Sequence, residues 1–192
     1  GNSAPFEINV GPDDHLYAAD LSNDMAYEFN DDMSVASPLI TPENKTDGQY
    51  VACVYVEGTQ AGGDRKIYLV DSHYLGLRRG LISYDLGANA MATEFDTGTQ
   101  VIGPDYFKYY GYDVERDSNG IWYMHQFRAD PNLAPAVSKF DGSLPPPIKT
   151  ALWETDMATY TGAYGIALNE DTKSVAYGSY YGGFVYFFNT DT

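Results

Sequence analysis

The 192-residue sequence predicts an all-β chain assembled from four copies of one unit of roughly 50 residues. Three observations carry this. No stretch of about 12 or more residues keeps apolar side chains three and four apart without Gly, Pro or β-branched interruption, so helix periodicity is missing. Tyrosine, which favours half-buried strands where the ring packs and the hydroxyl stays wet, occurs 18 times. And a short apolar run framed by polar turns returns four times: "DDHLYAADLSND" from Asp13, "DRKIYLVDSHYL" from Asp64, "SNGIWYMHQF" from Ser118 and "TKSVAYGSYY" from Thr172.

Aligning the units on Leu16, Ile67, Ile121 and Val175 gives spacings of 51, 54 and 54 residues. A second landmark, an aromatic residue followed by Asp or Asn, falls at Phe29-Asn30, Tyr84-Asp85, Phe140-Asp141 and Phe188-Asn189, spaced by 55, 56 and 48. Two landmarks keeping one period indicate one supersecondary unit per period.

The elements of each unit read in the same order. A first strand ("PFEINV", "YVACVYV", "YGYDVE", "YGIALN") precedes a turn rich in Gly, Asp and Asn ("GPDDH", "EGTQAGGDR", "RDSNG", "EDTK"), which supplies the positive-φ positions of a hairpin. The second strand is the recurring run: "LYAAD", "IYLVD", "IWYMH" and "VAYGS". The third ends in the aromatic-acid pair: "MAYEFN", "GLISYD", "AVSKFD" and "FVYFFN". A fourth apolar stretch follows in three units ("SVASPLIT", "MATEFDT", "PIKTALWET"), while the last unit stops after its third strand.

Four antiparallel strands per unit describe a blade of a β-propeller. The blades fall near 6–41, 49–98, 109–155 and 162–189, within a single domain spanning 1–192. Open blade faces and edges are a liability, so the expectation is an array belonging to a larger propeller or completed by another copy or a partner. The alternative is a closed four-bladed ring, which a disulfide between first and last blades typically ties and which the single cysteine, Cys53, does not supply.

The repeats resemble the NHL, SMP-30 and YVTN-like propeller superfamily. "GPDDHLYAADLSND…YEFN" and "DSNGIWYMHQ…VSKFDG" carry the resemblance, through an apolar strand, a DG- or DN-type turn, an [LIV]-Y-V-[AT]-D strand and a strand ending in F-D. A WD dipeptide paired with Gly-His is missing, which sets WD40 repeats aside. Gly62-Gly63 and Gly182-Gly183 lie at unmatched places, which disfavours kelch.

The net charge of −16, from 27 acidic and 11 basic residues, repels a phosphate backbone and excludes nucleic acid as an expected partner. The sequence contains no apolar run long enough to span a membrane. Cys53 sits in apolar "YVACVYV" and reads as an inert buried thiol. Abundant Tyr, Asn, Asp, Thr and Gly with little Lys lean toward an extracellular or cell-surface protein.

Propeller function gathers at the mouth of the central channel, at loops joining second to third strands and blade to blade. Asp20, Asp71 and His125, with Ser179, are expected to end successive second strands at that mouth. Carboxylate and imidazole there suit Ca²⁺ or another divalent cation. The competing reading is that Asp20 and Asp71 close strand ends by bonding nearby backbone. In "GPDYFKYYGY", "TDMATYTGAY" and "GSYYGG", Tyr106, Tyr109, Tyr110, Tyr160, Tyr164, Tyr180 and Tyr181 stand beside Asp, Thr and Gly, a composition suited to stacking on sugars or anchoring a protein partner. "DSHY" from Asp71 is not accompanied by a nucleophile-elbow motif, and the acidic loops between Asp20 and Ser34 lack EF-hand spacing.

The functional expectation is a non-enzymatic surface or secreted propeller that binds protein, glycan or another copy of itself. The alternatives are a metal-dependent hydrolase or lactonase of the SMP-30-like kind, using Asp20, Asp71 and His125, and a structural subunit of an assembly. The resemblance implies Glu and Asn ligands for a lactonase metal, and no such pair is evident.

Overall fold

The inner hairpin of each unit forms where the apolar runs meet across a polar turn, and the third and fourth strands add outward from it. In the computed structural model, whose described residues are 5–20, 23, 25–30, 32–33, 36–40, 51–71, 80–88, 90–96, 111–126, 137–143, 153–154, 163–179 and 183–191, this yields four antiparallel sheets and, among those residues, no helix. The first sheet holds β1 (Pro5–Val10), β2 (Leu16–Asp20), β3 (Met25–Phe29) and β4 (Ala36–Ile40) in chain order. The second holds β5 (Val51–Glu57), β6 (Lys66–Asp71), β7 (Gly80–Asp85) and β8 (Ala90–Asp96). The third holds β9 (Gly111–Arg116), β10 (Ile121–Gln126), β11 (Val137–Asp141) and the two-residue β12 (Trp153–Glu154). The fourth has three strands: β13 (Ala163–Asn169), β14 (Ser174–Ser179) and β15 (Val185–Asn189).

The ladders correct the alignment of the third unit by one residue. Leu16 pairs with Phe29, Ile67 with Tyr84 and Val175 with Phe188, and in the third sheet it is Trp122, not Ile121, that pairs with Phe140. The reason lies in the turn. Asp117 donates its amide to the Ile121 carbonyl as Gly11 does to His15, so Ile121 closes the hairpin and the matched strand begins one residue later. "IWYMH" is apolar on both faces, so alternation within it does not fix register.

With the register set, the core becomes three versions of one joint. Consecutive inner strands lie side by side, β1 by β5, β5 by β9 and β9 by β13. The first joint packs Tyr17, Ala19 and Ala26 against Val56, Ile67, Leu69 and Tyr84. The second packs Tyr68 and Leu81 against Val114, Trp122, Met124 and Phe140. The third packs Tyr123 and Val137 against Ile166, Val175 and Tyr177. Alternate residues of a strand point to opposite faces, so each interior sheet gives one set of side chains to the sheet before it and the other set to the sheet after it. Burial on both faces is why these strands read as unbroken apolar runs.

Each inner strand also carries one extra residue near its start, between Pro5 and Glu7, Val51 and Cys53, Gly111 and Asp113, and Ala163 and Ile166. Four bulges at one height are a property of the unit.

Candidate functional site

The corrected register rearranges the expected channel-mouth set. The last pairs of the four inner hairpins are Pro5 with Asp20, Val51 with Asp71, Gly111 with Gln126 and Ala163 with Ser179. Gln126 therefore occupies the place assigned to His125, which pairs instead with Asp113 and Val137 on neighbouring strands. The cation set of Asp20, Asp71 and His125 rested on a register one residue out in the third unit. Asp20 is buried, and its carboxylate accepts the amide of Asn23 at 3.1 Å and the Asn23 side-chain Nδ2 at 2.7 Å. It closes its own turn, as the competing sequence reading has it. The side chains of Asp71, His125 and Tyr164 lie outside the described residues, as do Tyr106, Tyr109, Tyr110, Tyr160, Tyr180 and Tyr181.

At the opposite end, beside the hairpin turns, stands a repeated constellation that pattern reading missed. Tyr17, Tyr68 and Tyr123 occupy matched positions, and each phenol donates to a carboxylate of its own hairpin: Tyr17 to Asp13 at 3.0 Å, Tyr68 to Glu57 at 3.0 Å and Tyr123 to Asp117 at 3.4 Å. Burial pushes the Tyr17 and Tyr123 phenols up to about 12, so both remain donors at physiological pH. The available signal was the tyrosine itself: "LY", "IY" and "WY" align once Trp122 replaces Ile121 as the landmark.

The next unit contributes a cation to this pair. Arg65 spans the first joint, binding Glu28 at 2.7 Å and reaching the Tyr17 hydroxyl at 3.4 Å, while His15 Nδ1 meets the same Glu28 oxygen at 2.6 Å. Arg116 spans the second, paired with Glu57 and lying over the rings of Trp122 at 4.9 Å and Tyr68 at 5.8 Å. Tyr55, Tyr68 and Trp122 form an aromatic cluster beneath it, with centroids 4.7 to 6.2 Å apart. Across the third joint Lys139 donates to the Thr190 carbonyl at 2.5 Å, and Ser118 donates both its hydroxyl and its amide to Glu170, which holds that carboxyl below its usual range.

Asp13, His15 and Glu28 come together closely enough to suggest a cation site. Arg65 already neutralises Glu28, however, and Asp13 accepts from Tyr17, so the donor set is engaged in the joint. Replacing Arg65 with Met is expected to destabilise the chain by about 1–3 kcal/mol, because Glu28 keeps its burial and loses its permanent counter-charge. Chemical denaturation checks this, and Arg65→Lys should rescue only partly, since an ammonium does not span both partners.

A second device joins the third and fourth units along β9 and β13. Asp113 and Glu115 are alternate residues of β9, and their carboxylates take the amides of alternate residues of β13, Ile166 at 2.8 Å and Leu168. The β-strand repeat matches the two spacings. Burial, reinforced by the adjacent Asp113 charge, pushes Glu115 up to about 7, against the pull of the Leu168 amide.

No protein-family model matches the chain, and no curated protein is similar to it in sequence. Solved structures do match in shape. A streptogramin B lyase structure superposes over 98% of this chain and 55% of its own, with TM-score 0.57 and 16% identity. The Dos1 propeller matches 98% of this chain and 45% of its own, with TM-score 0.58 and 12% identity. PorZ, a surface component of the type-IX secretion system of Porphyromonas gingivalis, matches 100% of this chain and 26% of its own, with TM-score 0.56 and 11% identity.

The fold is that of a β-propeller. The chain spans about half the length of the lyase and Dos1 propellers it matches, and identities this low speak for architecture alone. Within this propeller arc Arg65, Arg116 and Asp113 each bond across a joint. No helix among the described residues is long and apolar enough to cross a membrane.

Proposed function

We propose that this propeller is a non-catalytic binding scaffold, at the cell surface or outside the cell, whose repeats belong to the NHL, SMP-30 and YVTN-like type. It recognises a protein or glycan with the loop face that carries Tyr106, Tyr109, Tyr110, Tyr160, Tyr164, Tyr180 and Tyr181. The observation that carries this reading is the repeated tyrosine, carboxylate and cation joint at the hairpin-turn end, seen in Tyr17-Asp13-Arg65 and Tyr68-Glu57-Arg116. It commits conspicuous charged and aromatic groups to holding blades in fixed relation. A rigid frame with tyrosine-rich connecting loops suits recognition, because tyrosine supplies contact area at low conformational-entropy cost.

The test is a glycan array probed with the whole chain, beside a Tyr109→Ser/Tyr110→Ser variant and metal analysis of the same preparation. Saccharide binding that the double substitution abolishes is the expected result. Binding that survives the substitution would overturn the assignment of the tyrosine face. A stoichiometric divalent cation accompanied by lactone hydrolysis would replace this reading with the metal-dependent hydrolase.

A further inference from the structure

The third joint is closed differently from the two before it. Arg65 and Arg116 span the first and second with a charge that no accessible pH removes. Between β9 and β13 the strands themselves are bridged by two carboxylates. Asp113, 9% exposed, accepts the Ile166 amide at 2.8 Å, and the half-buried Glu115 accepts the Leu168 amide. The two acids are alternate residues of one strand, so they share a face, about 7 Å apart along it. The places matching Glu115 hold Asn9 on β1, Tyr55 on β5 and Ala167 on β13, none of which ionises near neutrality. Among the described sheets the arrangement belongs to this joint.

We infer that the third joint is a proton-controlled contact: the β13–β15 sheet is held against β9 while Glu115 keeps its proton, and releases more readily once that proton leaves. The groups around Glu115 favour this. Asp113 lies on its own strand, Tyr123 stands opposite on β10, Tyr55 acts from β5, and β13 offers the Leu168 amide. Glu170, just past β13, is a further acid, held by Ser118. Arg116, next along β9, is bound to Glu57, and His125 pairs with Asp113 in the β9–β10 ladder. An anion formed at Glu115 therefore sits beside the Asp113 charge, whereas an opened joint gives it to water. The closed joint binds the proton more tightly than the open one. In place Glu115 is pushed up to about 7, against 4.5 in solvent. Opening thus becomes more favourable by up to about tenfold per pH unit between those values and levels off above them. This contact lies in the frame, so it operates whatever the tyrosine loops bind.

The experiment is amide hydrogen exchange by NMR from about pH 5 to about pH 8, on the whole chain and on Glu115→Gln, each rate divided by its unstructured value at that pH. In the wild type, protection at Ile166 and Leu168 is expected to fall by up to about tenfold per unit until about pH 7, then hold steady. It should also stay below that of the β6 amides, because one joint opens before the chain unfolds. Glu115→Gln should keep its protection throughout, although His15 and His125 still titrate. A fall of equal size in that variant would assign the effect to another group and overturn the inference. So would β13 protection equal to that of β6 at every pH, because the opening would then be global. The Glu115 carboxyl carbon reads the wild type alone, and its titration in the ordinary carboxylate range would equally overturn the contact.

Discussion

Truncation of Trp122 to alanine is expected to cost about 3–5 kcal/mol, a large share of what holds a single domain together. The indole is buried in the middle of the second joint, touches Tyr55 and Tyr68, and lies under the Arg116 guanidinium. Gly142 approaches it so closely that a β-carbon there would overlap the ring. Removing the indole therefore opens a cavity, takes one aromatic face from Arg116 and loosens the turn that Gly142 closes by donating to Gly120. Urea denaturation measures the loss. Trp122→Phe should recover most of the packing, and the Trp122→Ala effect should shrink in an Arg116→Met background, because the two side chains share one interaction. Additive losses would show that Arg116 draws nothing from the indole.

Glu115→Gln is expected to stabilise the chain by about 1–3 kcal/mol at pH 8 and to change little at pH 5. The sign follows from the direction of the shift. In the folded chain Glu115 titrates near 7, above the 4.5 of an exposed glutamate, so between those values the native state holds a proton that the unfolded state has released. Its contribution to stability is complete below about pH 4.5 and is lost as pH rises through about 7. Glutamine retains a carbonyl for the Leu168 amide and never ionises beside Asp113. Thermal melts of both proteins across that range check this, read as the difference between them, so that the general repulsion of an acidic chain cancels. A constant difference at every pH would place the Glu115 carboxyl in solvent.

Among the described residues strand positions were legible because each unit obeys one rule: an apolar run must meet a second across a polar turn. Register in the third unit was not, because Ile121, Trp122, Tyr123 and Met124 are all apolar, and only pairing with Phe140 distinguishes one frame from the next. That single residue decided whether His125 aligned with Asp20 and Asp71. The joints were illegible for another reason. Tyr17 and Arg65 are 48 positions apart and Glu57 and Arg116 are 59 apart, so the sequence shows charges in turns and not the partners that packing brings to them. Asp20 was legible in kind, since an aspartate followed three residues later by asparagine before a strand is a self-closing turn.

The extra residue near the start of every inner strand has a bearing on how such a chain can change. A bulge absorbs an odd step in backbone count locally, so segments entering β1, β5, β9 and β13 can lengthen or shorten without turning the downstream side chains inside out. Variation at that rim is thereby uncoupled from the architecture below it, and new recognition surfaces can be grafted onto a frame that never has to be rebuilt.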